Sequence, residues 1–240
     1  MISIWKKRNF HIGKIRSLQR QNNSMNDINV ITPINQLGYG IAGLNIVNSL
    51  HKADHRVALS VIGQAEAPPD YHPIIRECSE NIKMPNFDAP CIRIWHQFDM
   101  SQFIGKGDRI GFPIFELDKF TEQEVHHLSS LDKIFVCSEW AKNVIKENGI
   151  KVQTHVIPLG VDTGIFQRSA FTRKNTIFFN CGKWEKRKGH DILVEAFNEA
   201  FTPDDNVELW MMCNNPFYTD EENQYWENLY KSSVLGDKIR

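Results

Sequence analysis

Four basic side chains fall within six consecutive positions of one short run. They are Lys183, Lys186, Arg187 and Lys188. The run is closed by Gly182 and Gly189, and it joins an apolar stretch typical of a strand to an amphipathic stretch typical of a helix. A helix N terminus attracts anions, and lysine and arginine add charge and hydrogen-bond donors. The run therefore predicts a diphosphate site that stabilises a leaving phosphate. The alternative is a solvated basic turn without a ligand.

A second candidate is the glycine-rich sequence Gly38–Gly43, formally G-x-G-x-x-G, between a predicted strand and a predicted helix. The absence of side chains at Gly38, Gly40 and Gly43 would let backbone N–H groups approach an anionic or polyhydroxy ligand. Five residues separate the strand from the first glycine, which weakens the match to a dinucleotide fingerprint. Glu66, 23 residues past Gly43, is placed where a ribose-binding acid would lie. The alternative is a flexible strand-to-helix loop that binds nothing.

Short apolar runs alternate with helical patterns from Asn26 onward, which predicts an α/β doubly wound parallel sheet. The predicted helices are 41–50, 121–131, 139–148 and 191–201. Thr121 followed by Glu124 is a capping-box arrangement. The predicted strands are 28–32, 56–62, 91–96, 109–112, 133–137, 152–157, 176–180 and 207–213. Several of these strands are almost wholly apolar, as in sheets covered on both faces.

The chain of 240 residues has 41% hydrophobic and 24% charged residues, which excludes a disordered or coiled-coil protein. Lys and Arg number 28 against 29 Asp and Glu, so a nucleic-acid partner is not expected. Residues 1–25 carry six basic residues and no acid, and they predict a disordered basic tail. We expect a Rossmann-like domain at 26–160, a linker at 161–173, and the start of a second such domain at 174–240.

The cysteines, the length of the apolar runs and the acidic motifs bear on compartment and cofactors. Its five cysteines are widely spaced and odd in number, so we expect free thiols and a cytoplasmic protein. No apolar run reaches the length of about 20 residues that a transmembrane helix needs. Peripheral contact with a membrane stays open. No D-x-D motif occurs, and we predict neither a metal site nor a cofactor.

An ordered series of motifs resembles a known family. The series consists of Val136–Lys142, Val156–Asp162, Gly182–Gly189 and the pair Ala196–Phe197. It is similar to the retaining glycosyltransferases of the GT-B fold, and most similar to family 4, the glycosyl transferases group 1. The resemblance covers roughly residues 27–240.

That resemblance implies two Rossmann-like domains facing a cleft, with a nucleotide-sugar donor on the second and an acceptor on the first. The acceptor would be a glycan, a lipid or a protein. Lys183 and Lys188 would hold the donor diphosphate, assisted by Arg187, and act in catalysis by stabilising the leaving charge. The family usually has arginine where Lys183 stands, so this position keeps the charge but loses bidentate geometry. Gly38, Tyr39, Gly40 and Gly43 would line the cleft.

The resemblance also implies a role for His96, at the end of a predicted strand, as a cleft residue that contacts the transferred sugar. A structural histidine is the alternative. Glu116 also follows a predicted strand and is a candidate acceptor-side residue, although capping of a turn at 117–120 is favoured. Trp140 and Trp184 are expected to be packing residues.

The family completes its donor site with a later E-x7-E segment. The nearby acids here, Glu221, Glu222 and Glu227, come before the strand that would precede it. We therefore expect the chain to be a fragment that contains part of the donor pocket. Two alternative functions stay open. One is a nicotinamide-dependent oxidoreductase that uses Gly38–Gly43 and Glu66, and the other is a non-catalytic module that binds a glycan or a partner.

Overall fold

The computed structural model describes residues 26–168 and 173–240. The predicted basic tail, 1–25, lies outside the described residues, and so does part of the predicted linker. The described chain divides into two compact units. Unit 1 ends at Val161, and unit 2 runs from Asp162 to Arg240.

Unit 1 contains a sheet of six parallel strands. In chain order they are β1 (Asp27–Thr32), β2 (Arg56–Val61), β3 (Cys91–Arg93), β4 (Arg109–Gly111), β5 (Lys133–Val136) and β6 (Gln153–Val156). Their order in the sheet is β2-β1-β3-β4-β5-β6. The chain moves to one side for β2 and to the other for β3, so the topological switch point lies between β1 and β3. Ligands of open α/β sheets bind outside the carboxyl ends of the strands at such a point.

Four helices of unit 1 connect these strands. They are α1 (Gly38–Lys52), α2 (His72–Asn81), α3 (Glu122–Ser129) and α4 (Glu139–Glu147). The predicted capping box is confirmed, since the Thr121 side chain accepts from the Glu124 N–H and the Glu124 carboxylate accepts from the Thr121 N–H. Ser138 caps α4 by accepting from the Ala141 N–H. Polar caps therefore begin two helices directly after the loops that follow β4 and β5.

The core of unit 1 is formed by apolar side chains from the strands and from one side of the helices. Val30, Leu59 and Ile94 are almost completely buried against Leu44 and Val47 of α1. Burial of each such side chain contributes roughly 1.5–3 kcal/mol relative to exposure. The nearly continuous apolar strands of the sequence are thus explained by a sheet packed on both faces.

Unit 2 begins with two parallel strands, β7 (Thr176–Gly182) and β8 (Val207–Cys213). They are followed by helices α5 (His190–Ala200) and α6 (Asp220–Lys231), respectively. The last residues add to the free edge of β8, because Arg240 N–H donates to the Leu209 carbonyl and Met211 N–H donates to the Arg240 carbonyl. Val194, Phe197, Leu209 and Tyr230 form the centre of this unit's core.

The eight predicted strands are all present, and the predicted α/β Rossmann-like class is confirmed for unit 1. Two details were wrong. Helix α1 begins at Gly38, so residues Gly38–Gly43 form the first turns of a helix and not a loop. Helix α2 was not predicted from the sequence. Its first turn contains Pro73 and Cys78 is its only buried residue, so α2 shows little apolar periodicity.

Candidate functional site

The basic run forms a rigid connection between β7 and α5, here called the basic turn (residues 182–190). Lys186–Lys188 form a single 3-10 turn, and Gly189 follows with φ 71°. This left-handed conformation is one that glycine adopts readily, and it lets α5 begin directly at His190. The chain therefore places its basic side chains at the carboxyl end of β7 and just before a helix N terminus.

His190 fixes this turn from inside. It is 1% exposed, and its Nδ1 accepts a hydrogen bond of 3.0 Å from the Glu185 N–H. Because Nδ1 is the acceptor, the proton lies on Nε2, which donates to Asn180 Oδ1 at 3.2 Å. Burial, followed by the charge of Lys188, lowers the pKa of His190. The neutral imidazole thus ties the turn to the end of β7.

Trp184 anchors the turn on its other side. Its side chain is 2% exposed and lies parallel to Trp226, with ring centroids 5.9 Å apart. The buried Asn215 amide donates to the Trp184 carbonyl at 2.9 Å. Trp184 is therefore a packing residue, as its sequence context predicts. Trp140 differs, since it is 49% exposed and contacts the Phe115 ring at the edge of unit 1.

The cations of the turn differ in how they are neutralised. Lys183 and Arg187 both pair with the Glu185 carboxylate, at 3.2 and 3.1 Å. Partial burial acts to raise the pKa of Glu185, but the hydrogen bond from Lys183 and the nearby positive charges hold it below its usual value. Lys188 forms no ion pair within 4.0 Å among the described residues.

The ammonium group of Lys188 lies back over the end of β7. A Cβ added to Gly182 would lie 3.1 Å from Lys188 Nζ, so glycine leaves room for this approach. Lys183 extends to the loop after β8, where its Nζ lies 5.0 Å from the centre of the Phe217 ring. Of the predicted diphosphate residues, Lys183 and Lys188 are therefore both at the carboxyl edge of the β7–β8 sheet.

Arg187 belongs to the basic turn, and its side chain also lines a groove of unit 2. With Lys186 it lines an open groove of about 560 Å³ between the basic turn and the start of α6. The other lining residues are Glu185, Tyr218, Glu222, Tyr225 and Trp226. Arg187 and Lys183 share the Glu185 carboxylate, and the predicted role of Arg187 in holding a diphosphate stays a prediction.

In unit 1, the glycine-rich sequence allows close packing. A Cβ on Gly40 would lie 2.2–2.5 Å from atoms of Asn35, and one on Gly43 would lie 2.1 Å from Thr32 Oγ1. Gly38 faces open space, with nothing within 4 Å of an added Cβ. Two of the three glycines are therefore explained by contact between α1 and the chain that leads into it.

Tyr39 joins two segments that follow neighbouring parts of the sheet. Its hydroxyl donates to the Ile114 carbonyl at 2.5 Å and accepts from the Ile114 N–H at 3.0 Å. Burial raises the pKa of Tyr39 to about 12, so the phenol stays protonated. Glu116 is exposed in the segment that Tyr39 holds, and this segment forms no helical turn, so the capping role favoured for Glu116 is wrong.

His96 lies just beyond β3, at the switch point, and is surrounded by aromatic rings. Its ring centre is 4.7 Å from that of Tyr39 and 4.8 Å from that of Trp95. Phe98 lies parallel to it at 5.0 Å. Burial lowers the pKa of His96, against the opposing charge of Asp99, so the imidazole is neutral at pH 7. The structure thus brings His96 and Tyr39 together in unit 1, and their lining of a cleft stays a prediction.

Several residues around these sites were missed by the sequence analysis. Asn180, His190 and Asn215 support the basic turn, and Phe98 stacks on His96. Only His190 carried a signal, because it directly follows the last glycine of the run. Asn180 and Asn215 act through hydrogen bonds to residues 10 and 31 positions away, and Phe98 stacks on His96 because of the conformation of the local turn, none of which residue spacing shows.

Neither a metal site nor a membrane-spanning helix is found among the described residues. No group of three or more His, Cys, Asp or Glu side chains is placed to hold a metal ion in residues 26–168 and 173–240. Over the same part of the chain, no helix combines the length and apolar character needed to cross a membrane.

Fold and site together define an α/β protein with a parallel, Rossmann-like sheet in unit 1 and a cationic strand-to-helix turn in unit 2. No protein-family model matches the sequence, and no curated protein matches it. The assignment of a function therefore depends on the chemistry of the two units.

Proposed function

We propose that the chain belongs to a retaining glycosyltransferase of the GT-B type, in which unit 2 binds the diphosphate of a nucleotide-sugar and unit 1 binds the acceptor. The observation that carries this proposal is the ammonium group of Lys188, which is unpaired among the described residues and lies beside Gly182 at the end of β7. An unpaired cation beside a helix N terminus is well suited to bind an anion.

The geometry of the turn supports this proposal, because the turn is built before any ligand arrives. His190 and Trp184 hold its backbone from two sides, so little ordering is needed on binding. Lys183, at the end of the same turn, adds a second positive charge. Fixed charges of this kind stabilise negative charge that develops in a transition state better than mobile water does.

The proposed reaction is a group transfer with retained configuration. An acceptor hydroxyl attacks the anomeric carbon on the face from which the diphosphate leaves, and the bond between that carbon and the phosphate oxygen breaks. The acceptor proton passes to an oxygen of the leaving diphosphate, whose negative charge Lys188 and Lys183 stabilise. In unit 1, the proposal assigns His96 to contact with sugar hydroxyls and Glu116 to the acceptor side.

A direct test is calorimetric titration of the chain with UDP-glucose, GDP-mannose and ADP-glucose. One of them is expected to bind, and Lys188→Ala is expected to weaken that binding about tenfold or more, since a charged hydrogen bond is lost. Lys186→Ala is the matched control, because Lys186 belongs to the same turn but lines the groove beside α6. Equal losses in the two variants, or no binding by any donor, would contradict the proposal.

A nicotinamide-dependent oxidoreductase is the second candidate, and one observation favours it. The Glu66 N–H donates to the Ile34 carbonyl at 2.7 Å, which holds Glu66 next to the sequence that leads into α1. A groove of about 490 Å³ lies there, lined by Gln36 and Glu66 among others. Binding of NAD that is abolished by Glu66→Ala and unaffected by Lys188→Ala would favour this candidate over the transferase.

A further inference from the structure

One aromatic side chain of unit 1 is exposed where a ligand of the sheet would bind. Phe98 is 48% exposed and follows β3 at the switch point. We propose that this edge of unit 1 binds an oligosaccharide, with the stacked Phe98 and His96 rings as a platform for one sugar and the groove at Gln36 and Glu66 as the site of the next. The inference rests on the proposed function, because it names the acceptor as a carbohydrate chain.

The platform is defined by two parallel rings. The planes of Phe98 and His96 meet at 9°, with centroids 5.0 Å apart. His96 therefore covers one face of the Phe98 ring, and the half-exposed ring offers its remaining apolar surface to a ligand. The C–H face of a sugar is apolar while its edge carries hydroxyls, so it can pack on an aromatic face and stay hydrogen-bonded around its rim.

The turn that carries the platform is clamped at three points. Arg93, which is 2% exposed, donates to the Asp99 carbonyl at 2.8 Å and to the Asp99 carboxylate at 2.7 Å. Gln97 donates to the Glu124 carboxylate at 2.9 Å. The third clamp joins the Met100 N–H to His127 Nδ1 at 3.1 Å. An exposed aromatic ring on so firmly held a turn loses little freedom when a ligand binds.

A second position lies along the same edge of the sheet. The groove of about 490 Å³ is lined by Gln36, which follows β1, and by residues 65–68 and 72, which follow β2. Since β2, β1 and β3 are neighbours in that order, the groove and the platform follow adjacent strands at their carboxyl ends. Adjacent strands are about 4.8 Å apart, and we assign one sugar of the same chain to each of the two positions.

The chemistry of the lining favours a neutral polyhydroxy ligand. The groove supplies the Gln36 amide and the Glu66 carboxylate, both of which bond to hydroxyls, and its lining contains no lysine or arginine. Burial keeps the His96 imidazole uncharged at pH 7. A phosphorylated lipid headgroup would meet a carboxylate here without a cation, which disfavours it.

The test is saturation-transfer NMR and calorimetry on the full chain with maltotriose, cellotriose, chitotriose and mannotriose, each beside its monosaccharide. At least one trisaccharide is expected to bind, and more tightly than its monosaccharide. Phe98→Ala and Glu66→Ala are each expected to weaken that binding about tenfold. Phe87→Ala is the matched control. Phe87 is also exposed, but it precedes β3 and so lies toward the amino ends of the strands, away from the proposed site.

Three results would overturn the inference. They are binding of no trisaccharide at millimolar concentration, equal binding by wild type and Phe98→Ala, and binding of phosphatidylglycerol vesicles or NAD in place of any trisaccharide. Titration of the same samples with nucleotide-sugars keeps the two proposals apart. Trisaccharide binding without donor binding would contradict the transferase alone, while donor binding without trisaccharide binding would contradict this inference alone.

Discussion

The two strand-to-helix connections that could bind phosphate use glycine for different purposes. In unit 1, Gly40 and Gly43 allow α1 to approach Asn35 and Thr32, and residues 33–43 contain no charged side chain. In unit 2, Gly189 adopts a left-handed conformation after a 3-10 turn, and the basic turn as a whole (residues 182–190) carries four cations. Glycines of this kind indicate a ligand site only where their backbone is open to a ligand. At Gly40 and Gly43 that space is already filled by Asn35 and Thr32.

The largest expected effect comes from removing the anchor of the basic turn. Trp184→Ala deletes a buried indole that lies against Trp226, Tyr230 and His190. Truncation of a buried tryptophan costs about 3–5 kcal/mol, so urea unfolding should show a loss of that size in the free energy of unfolding.

Trp140→Ala is the control for this prediction, since that side chain is 49% exposed and its loss should cost much less. A Trp184→Ala variant as stable as Trp140→Ala would show that the basic turn is not held by the core of unit 2.

A smaller effect is expected from the glycines of unit 1. Gly40→Ala places a methyl group on the backbone of Asn35, and overpacking of this kind costs about 1–3 kcal/mol. Gly38→Ala meets open space and replaces a poor helix former, so it should leave the free energy of unfolding unchanged or raise it by up to about 1 kcal/mol. Thermal or urea unfolding measures both, and the reverse order of stability would disprove the packing role of Gly40.

The smallest effect is the pH dependence that His190 contributes. Its pKa is lowered in the folded state, so the unfolded chain binds more protons below the ordinary histidine pKa of about 6.5. The contribution of His190 to the free energy of unfolding is therefore fully present above that pH, and it is lost as the pH falls through the pKa of the folded state. His190→Gln should therefore flatten the dependence of the unfolding free energy on pH below the ordinary histidine pKa of about 6.5. An unchanged slope would contradict this role.

The sequence predicted the sheet of unit 1 well because buried parallel strands leave near-continuous apolar runs, as at 28–32. It also predicted the capping box at Thr121, since that signal is local. It failed on Gly38–Gly43, where glycine suggested a loop but tight packing produced a helix. The stacking of Phe98 on His96 depends on the conformation of an irregular turn, and the support of the basic turn by Asn215 depends on a contact 31 residues away in the chain, neither of which a spacing rule contains.

We expect phosphate to bind at the basic turn and not at the glycines of unit 1. The most direct test is to titrate the nitrogen-15-labelled chain with pyrophosphate and to map the shifts of the backbone amide signals. We expect the largest shifts at Gly182, Lys188 and Gly189, and we expect Lys188→Ala to abolish them. Largest shifts at Gly38, Tyr39 and Gly40, with Lys188→Ala having no effect, would contradict the account and would place the phosphate site in unit 1.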